Sequence, residues 1–129
     1  MAKYVYPAIF HQEDDGGYSV SFPDLPCATQ GEDLADAIDM AEDALALLLY
    51  SYEEDKKDIP EPSNIKNIIS DDYVSFISCD TFSYRKQFNN KAVKKTLSIP
   101  EWLNEIAIEA NINFSQVLQE ALKTKLGVY

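Results

Sequence analysis

Residues 3–22, KYVYPAIFHQEDDGGYSVSF, carry the reading on which the fold turns. Lys3–His11 is rich in β-branched and aromatic residues. Tyr18, Val20 and Phe22 alternate with two serines, as in a strand with one buried face. Between them Asp15-Gly16-Gly17 supplies residues that tolerate the positive φ of a tight turn, so the stretch predicts a β-hairpin. Pro7 cannot donate to a ladder and is expected at a sheet edge or a bulge. The turn acids Glu13, Asp14 and Asp15 point to a solvated loop. Pro23-Asp24-Leu25-Pro26 then ends the second strand.

Outward from the hairpin, Leu34, Ile38, Ala41, Leu45, Leu48, Leu49 and Tyr52 recur at spacings of three and four, which predicts a helix from Asp33 to about Tyr52. Asp33, Asp36, Asp39, Glu42 and Asp43 form its other face, towards the N-terminal half where the helix dipole favours negative charge. Pro60 and Pro62 enforce an extended connector, and Tyr73–Cys79 reads as a third strand joining the first two. The order β-β-α-β predicts an α+β domain, a helix laid across a small antiparallel-rich sheet, over residues 1–80. Residues 81–92, TFSYRKQFNNKA, show no clean period and read as a linker or a short irregular helix.

Organisation changes after that. Lys94–Ile99, KKTLSI, alternates into Pro100, and Leu103, Ile106, Ala107 and Ala110 follow at helical spacing. Asn111-Ile112-Asn113 forms a turn, Asn113 with Gln116 fits a capping box, and Val117, Leu118, Ala121, Leu122 and Leu126 make a second stripe before Gly127. The segment 93–129 is strand, helix, turn, helix. A unit that small cannot bury Leu97, Ile99, Trp102 and both stripes alone, because domains below about 40 residues need outside help. It is expected to pair with a second copy as a two-stranded ribbon on four helices, a shape that the major groove of DNA admits. Strand alternation then sends Leu97 and Ile99 to the dimer core, where Trp102 and the helical residues Leu103, Ile106, Val117, Leu118 and Leu122 join them, and turns Lys94, Thr96 and Ser98 towards bases. Lys95 contacts phosphate or lies along the ribbon. The helix N-terminus at Asn113, Phe114 and Ser115 offers free N–H donors to a phosphate.

Composition sets the outer bounds. The chain has 129 residues, 46% of them apolar, and no apolar run approaches the ~20 residues that span a bilayer. The N-terminus lacks the plan of a signal peptide, so a cytoplasmic location without membrane contact is expected. Cys27 and Cys79 show no CxxC spacing and are expected as buried thiols. The net charge of −11 is unevenly spread. Residues 1–80 carry four Lys/Arg against eighteen Asp/Glu, a net −14, whereas residues 81–129 carry seven against four, a net +3. An acidic part suits a basic partner, and a basic part can approach phosphates.

Val93-Lys-Lys-Thr-Leu-Ser-Ile-Pro100 with its two helices resembles the ribbon-helix-helix fold of Arc- and MetJ-like repressors. Residues 18–26, YSVSFPDLP, then Thr29-Gln30-Gly31 and the Ala-rich helix from Leu34 to Leu45, resemble the HicB antitoxin signature, with Cys27 where a glycine is expected. The resemblance implies a partial ribonuclease H-like N-terminal domain and, as partner, a small basic HicA-type toxin that cuts messenger RNA. It also implies operator binding by a homodimer, with a tetramer left open. The toxin contact is expected near Asp14, Asp15, Asp24 and Leu25. No cofactor, metal or catalysis is expected: the first strand holds no carboxylate for two-metal chemistry, and His11, the only histidine, has no nucleophile beside it. The alternative is a free-standing repressor whose acidic domain senses a ligand or oligomerises.

Overall fold

The computed structural model describes residues 2–128 and divides into two compact units, Met1–Lys91 and Ala92–Tyr129. The first contains β1 (Lys3–Gln12), β2 (Tyr18–Ser21), β3 (Ala28–Gly31), α1 (Leu34–Glu54), β4 (Tyr73–Asp80) and α2 (Thr81–Phe88). All pairings are antiparallel, in the order β3-β2-β1-β4.

The alternation on β1 sends Tyr6, Ala8 and Phe10 to one face, where Val20 of β2 and Ile77 and Cys79 of β4 join them. Helix α1 lays Ala37, Ala41, Leu45, Ala46 and Leu49 on that face, and each large side chain so buried contributes about 1.5–3 kcal/mol. Asp33 caps the helix, its carboxylate accepting from Asp36 N at 2.8 Å. The buried stripe is shifted from the one the apolar spacing suggested. Leu34 is half exposed, and Ala37 is fully buried.

Small residues matter here because β3 and α1 nearly touch. A Cβ on Gly31 would lie 2.3 Å from Ala37 N, so only glycine fits. β3 itself is an addition to the order read from sequence: ATQG has no apolar alternation, and it becomes a strand by pairing with β2 from Tyr18↔Gly31 to Ser21↔Ala28. Pro7 is also placed differently, buried within a central strand. The ladder with β2 covers only Ile9–Gln12, so no β2 residue opposes Pro7 and its missing N–H breaks no bond there. Cys27 keeps a negative φ, since Lys56 and Asn111 are the only non-glycine residues at positive φ among those described. Glycine is not required at that position. The thiol of Cys27 is partly buried, and that of Cys79 is buried.

Thr81–Phe88, within the stretch read as a linker or a short irregular helix, is a regular α-helix belonging to the first unit. Asp80 caps it by accepting from Phe82 N at 2.9 Å and Ser83 N at 3.4 Å. Arg85 binds Glu54 and, at 3.2 Å, Glu53 of α1, and its guanidinium lies 4.6 Å from the Tyr50 ring centre. Thr81 Oγ1 sits 2.8 Å from Ala2 N, 3.0 Å from Ala2 O and 2.9 Å from Glu53 Oε2. Tertiary partners, not periodicity, make this helix.

The second unit holds α3 (Glu101–Glu109) and α4 (Phe114–Leu126). Asn111, at φ 56°, makes the turn, a conformation that Asn tolerates. Asn113 caps α4 through Gln116 N at 3.1 Å, while the Gln116 side chain donates to Glu120 and so does not complete the capping box. Gly127 ends the helix at φ 69°. No described side chain of this unit is buried. Residues 89–100 carry no helix or strand, so the strand expected at Lys94–Ile99 has no ladder in the single chain.

Candidate functional site

The hairpin turn is built by Glu13 N donating to Gly17 O at 2.8 Å and Gly16 N to Glu13 O at 3.1 Å, with Gly16 at φ 93°. Asp15 reinforces it, accepting from Gly17 N at 2.9 Å. This turn stands over the ends of β3 and α1, where Asp36 accepts from Glu32 N at 2.9 Å. Together they border an open cleft of about 810 Å³ lined by Glu13, Asp14, Asp15, Glu32 and Asp36, with Met40 exposed on its apolar side. Asp14 and Asp15 were legible as exposed acids. Glu32 and Asp36 were not placed beside them, because that required β3, the strand the sequence pattern hides.

His11 lies just before the turn, its Nδ1 3.0 Å from Asp72 Oδ1. The hydrogen bond to Asp72 raises the imidazole pKa above its ordinary value, with the charges of Asp72, Glu13 and Asp14 adding to it. No group of three or more His, Cys, Asp or Glu that could hold a metal ion occurs among the described residues. A surface of closely spaced carboxylates is suited to guanidinium and ammonium groups, which donate bidentate or multiple charge-assisted hydrogen bonds to such acids' oxygens.

Two residues expected at the partner surface are occupied internally. Asp24 accepts from Ser63 N at 2.9 Å and also from the Ser63 hydroxyl, tying the Pro-rich connector down, while the hydroxyl of Tyr6 donates to Pro60 O. Leu25 is buried in the core, 6% exposed. Burying a side chain of that size contributes about 1.5–3 kcal/mol, which helps hold the loop in place.

In the second unit Lys94, Lys95, Thr96 and Ser98 are all exposed. Phe114 is half exposed, and the Ser115 hydroxyl accepts from Gln119 Nε2 at 3.3 Å. Leu97, Ile99, Trp102, Leu103, Ile106, Val117 and Leu122 are between 41% and 64% exposed, and Leu118 is partly buried. So many open apolar side chains in one short segment mark a surface made to be covered.

A family model described as the HicB-like antitoxin of bacterial toxin-antitoxin systems matches residues 6–121. The chain belongs to this family. Antitoxin HicB of Escherichia coli K12 is 44% identical over 63 residues, 48% of this chain and 46% of that protein. Antitoxin HicB 1 of Photorhabdus laumondii is 44% identical over 61 residues, 46% of this chain and 39% of that protein. The chain thus spans less than half the length of these HicB relatives. Among solved structures, a toxin-antitoxin complex from Streptococcus pneumoniae contains a chain 29% identical, with TM-score 0.60, over 95% of this chain and 99% of that one. Antitoxin HicB of Burkholderia pseudomallei, 22% identical, matches in fold at TM-score 0.55 over 92% and 96%. The mixed α+β architecture with an antiparallel sheet is that of HicB antitoxin structures. No helix among the described residues is long and apolar enough to cross a membrane.

Proposed function

We propose that this HicB-family chain neutralises a small basic HicA-type ribonuclease by occluding it with the acidic first unit. We propose further that residues 93–129 pair as a ribbon-helix-helix homodimer that binds operator DNA and represses the chain's own operon. The observation that carries the first part is the family match over residues 6–121, supported by the net −14 of residues 1–80. An RNA-cutting enzyme presents a positive surface to its substrate, and an opposite field speeds its capture.

The first unit is read as a partial ribonuclease H-like fold, with the acid-lined cleft as the partner surface. Asp14 and Asp15 remain within that surface, Glu32 and Asp36 join it, and Asp24 and Leu25 act through loop geometry. In the second unit, Leu97, Ile99, Trp102, Leu103, Ile106, Val117, Leu118 and Leu122 form the shared core. Lys94, Thr96 and Ser98 meet bases, and Lys95 and the N-terminus of α4 at Asn113, Phe114 and Ser115 meet phosphates. The protein works in the cytoplasm without cofactor.

Co-expression of the chain with the short basic protein encoded beside it, followed by tandem purification and an RNA-cleavage assay, tests the first part. The expected result is a stable complex in which cleavage is suppressed. A toxin that stays free and active in excess antitoxin overturns it. Retention of the upstream operator in competition with random DNA tests the second.

A further inference from the structure

β4 is an outer strand of the sheet: it pairs with β1 alone, in register from Lys3↔Asp80 to Phe10↔Tyr73. Its other edge presents backbone N–H and C=O groups on which a further strand can add, and such edges are normally blunted by lysine, proline, a bulge or shortness. β3, at the opposite edge, is short at 4 residues. β4 has none of these devices. Tyr73–Cys79, YVSFISC, holds no charged residue and no proline, and its ladder runs without a bulge. Tyr73 is 74% exposed and Phe76 56%, and Ser75 beside them is open. Charge decides what can cover this edge. Residues 1–80 carry a net −14, so a basic partner is drawn to the acids and gains little from a strand that has none. A second acidic copy, in contrast, can approach along Tyr73–Cys79 without setting carboxylate against carboxylate.

We propose that β4 pairs antiparallel with β4 of a second copy, about a two-fold axis through Ser75, joining two four-stranded sheets into one. Opposed residues share a face of the sheet, so the numbers in each pair sum to an even value and the axis passes through a residue. An axis at Phe76 would oppose Asp72 to Asp80, one at Ile77 would oppose Asp80 to Val74, and one at Val74 would oppose Asp72 to Phe76. The axis at Ser75 sets Val74 against Phe76 and Tyr73 against Ile77, and leaves Asp72 and Asp80 facing serines. Aromatic side chains opposite β-branched ones are favourable cross-strand pairs, and here they cover the exposed Tyr73 and Phe76. The acid-lined cleft is bordered by the end of β3, at the other edge of the sheet, so it stays open in the pair. A chain that also pairs through its second unit would then hold two different two-fold contacts, through which pairs can join.

The test places Ser75→Cys or Ser78→Cys in the full chain, oxidises each with copper–phenanthroline at several salt concentrations, and identifies linked peptides by mass spectrometry. Opposed Cα atoms of antiparallel strands lie about 4.5–5.5 Å apart, within disulfide reach, so Ser75→Cys should link two chains symmetrically. Ser78→Cys lies on the same strand, but its two copies would be about 20 Å apart, and it should link about tenfold less. Linking should rise with salt, which screens the repulsion between two acidic units and weakens the capture of a basic toxin. Adding Leu97→Asp, which puts a charge into the shared core of the second unit, should leave the Ser75→Cys link in place at high protein concentration. Ser75→Asp sets two carboxylates face to face on the axis. In sedimentation velocity it should weaken this contact by about fivefold or more, with an unchanged circular dichroism spectrum. Equal linking at both positions, or none in a folded Ser75→Cys chain, overturns the pairing. A link lost with Leu97→Asp at every concentration overturns it too and leaves the ribbon as the contact that brought the strands together. A link abolished by excess toxin assigns the β4 edge to the toxin instead.

Discussion

Asp24 and Ser63, 39 residues apart, are joined twice: one carboxylate oxygen accepts from Ser63 N at 2.9 Å and the other from the Ser63 hydroxyl. The bridge holds the connector that follows α1 against the loop that leaves β2, and this gives Asp24 a structural task where sequence suggested a partner contact. Asp24→Ala should lower the stability of the first unit by about 1–2 kcal/mol, the worth of two modest hydrogen bonds. Urea unfolding followed by far-UV circular dichroism measures this. Toxin affinity, corrected for the unfolded fraction, should stay the same; a large loss with unchanged stability would return Asp24 to the interface.

The cleft acids should behave in the opposite way. Charge reversal with Asp14→Lys and Glu32→Lys should leave unfolding midpoints almost unchanged, because both side chains are exposed. It should slow association with the toxin at low salt, and the deficit should shrink as salt screens the field. Stopped-flow rates at several ionic strengths decide it. An association rate indifferent to both the mutations and salt would place the partner elsewhere.

Gly31→Ala is expected to cost about 1–3 kcal/mol by overpacking, since its Cβ would meet Ala37 N at 2.3 Å and Ala37 Cα at 2.5 Å, which are backbone atoms and cannot rotate away. Gly127→Ala meets nothing within 4 Å and should leave the first unit unaffected. Thermal melts of the two variants side by side make the comparison.

Glu53 sets an acid limit. Burial alone would raise its carboxyl, but the hydrogen bonds it accepts, including those from Thr81, Tyr4 and Arg85, outweigh burial and hold it at about 2, below the ordinary 4.5. Its folded pKa is thus depressed, so its stabilisation is present above 4.5 and is lost as pH falls towards 2. Glu53→Gln should cost about 2 kcal/mol at neutral pH, as for hydrogen bonds to a charged group. It should also flatten the fall in melting temperature between about pH 5 and about pH 2.5. A variant with the same acid profile as the parent would contradict the assignment.

In the second unit, the triple substitution Lys94→Ala, Thr96→Ala, Ser98→Ala should abolish preference for operator over random DNA, since each base contact contributes on the order of 1–3 kcal/mol of discrimination. Salt-sensitive non-specific binding should remain. Trp102, the single tryptophan and 63% exposed in one chain, gives the control. Its emission should shift to the blue with concentration equally in parent and mutant, showing that pairing survives.

Where side chains themselves carry the period, sequence was enough. Tyr18, Val20 and Phe22, the spacing from Ile38 to Tyr52, and the paired stripes around Leu103 and Val117 yielded the hairpin, α1, α3 and α4, and the signature from Tyr18 to Gly31 pointed to the family. What tertiary structure decided is what backbone and polar partners decide. β3 is a strand because β2 offers it a ladder, and its side chains hold no trace of that. α2 stands because Asp80 caps it and Glu53 and Glu54 bind Arg85, residues remote in sequence whose meeting no local pattern records. Asp24 and Leu25 look alike as loop residues, yet one ties a connector and the other fills the core, since burial belongs to a position in space.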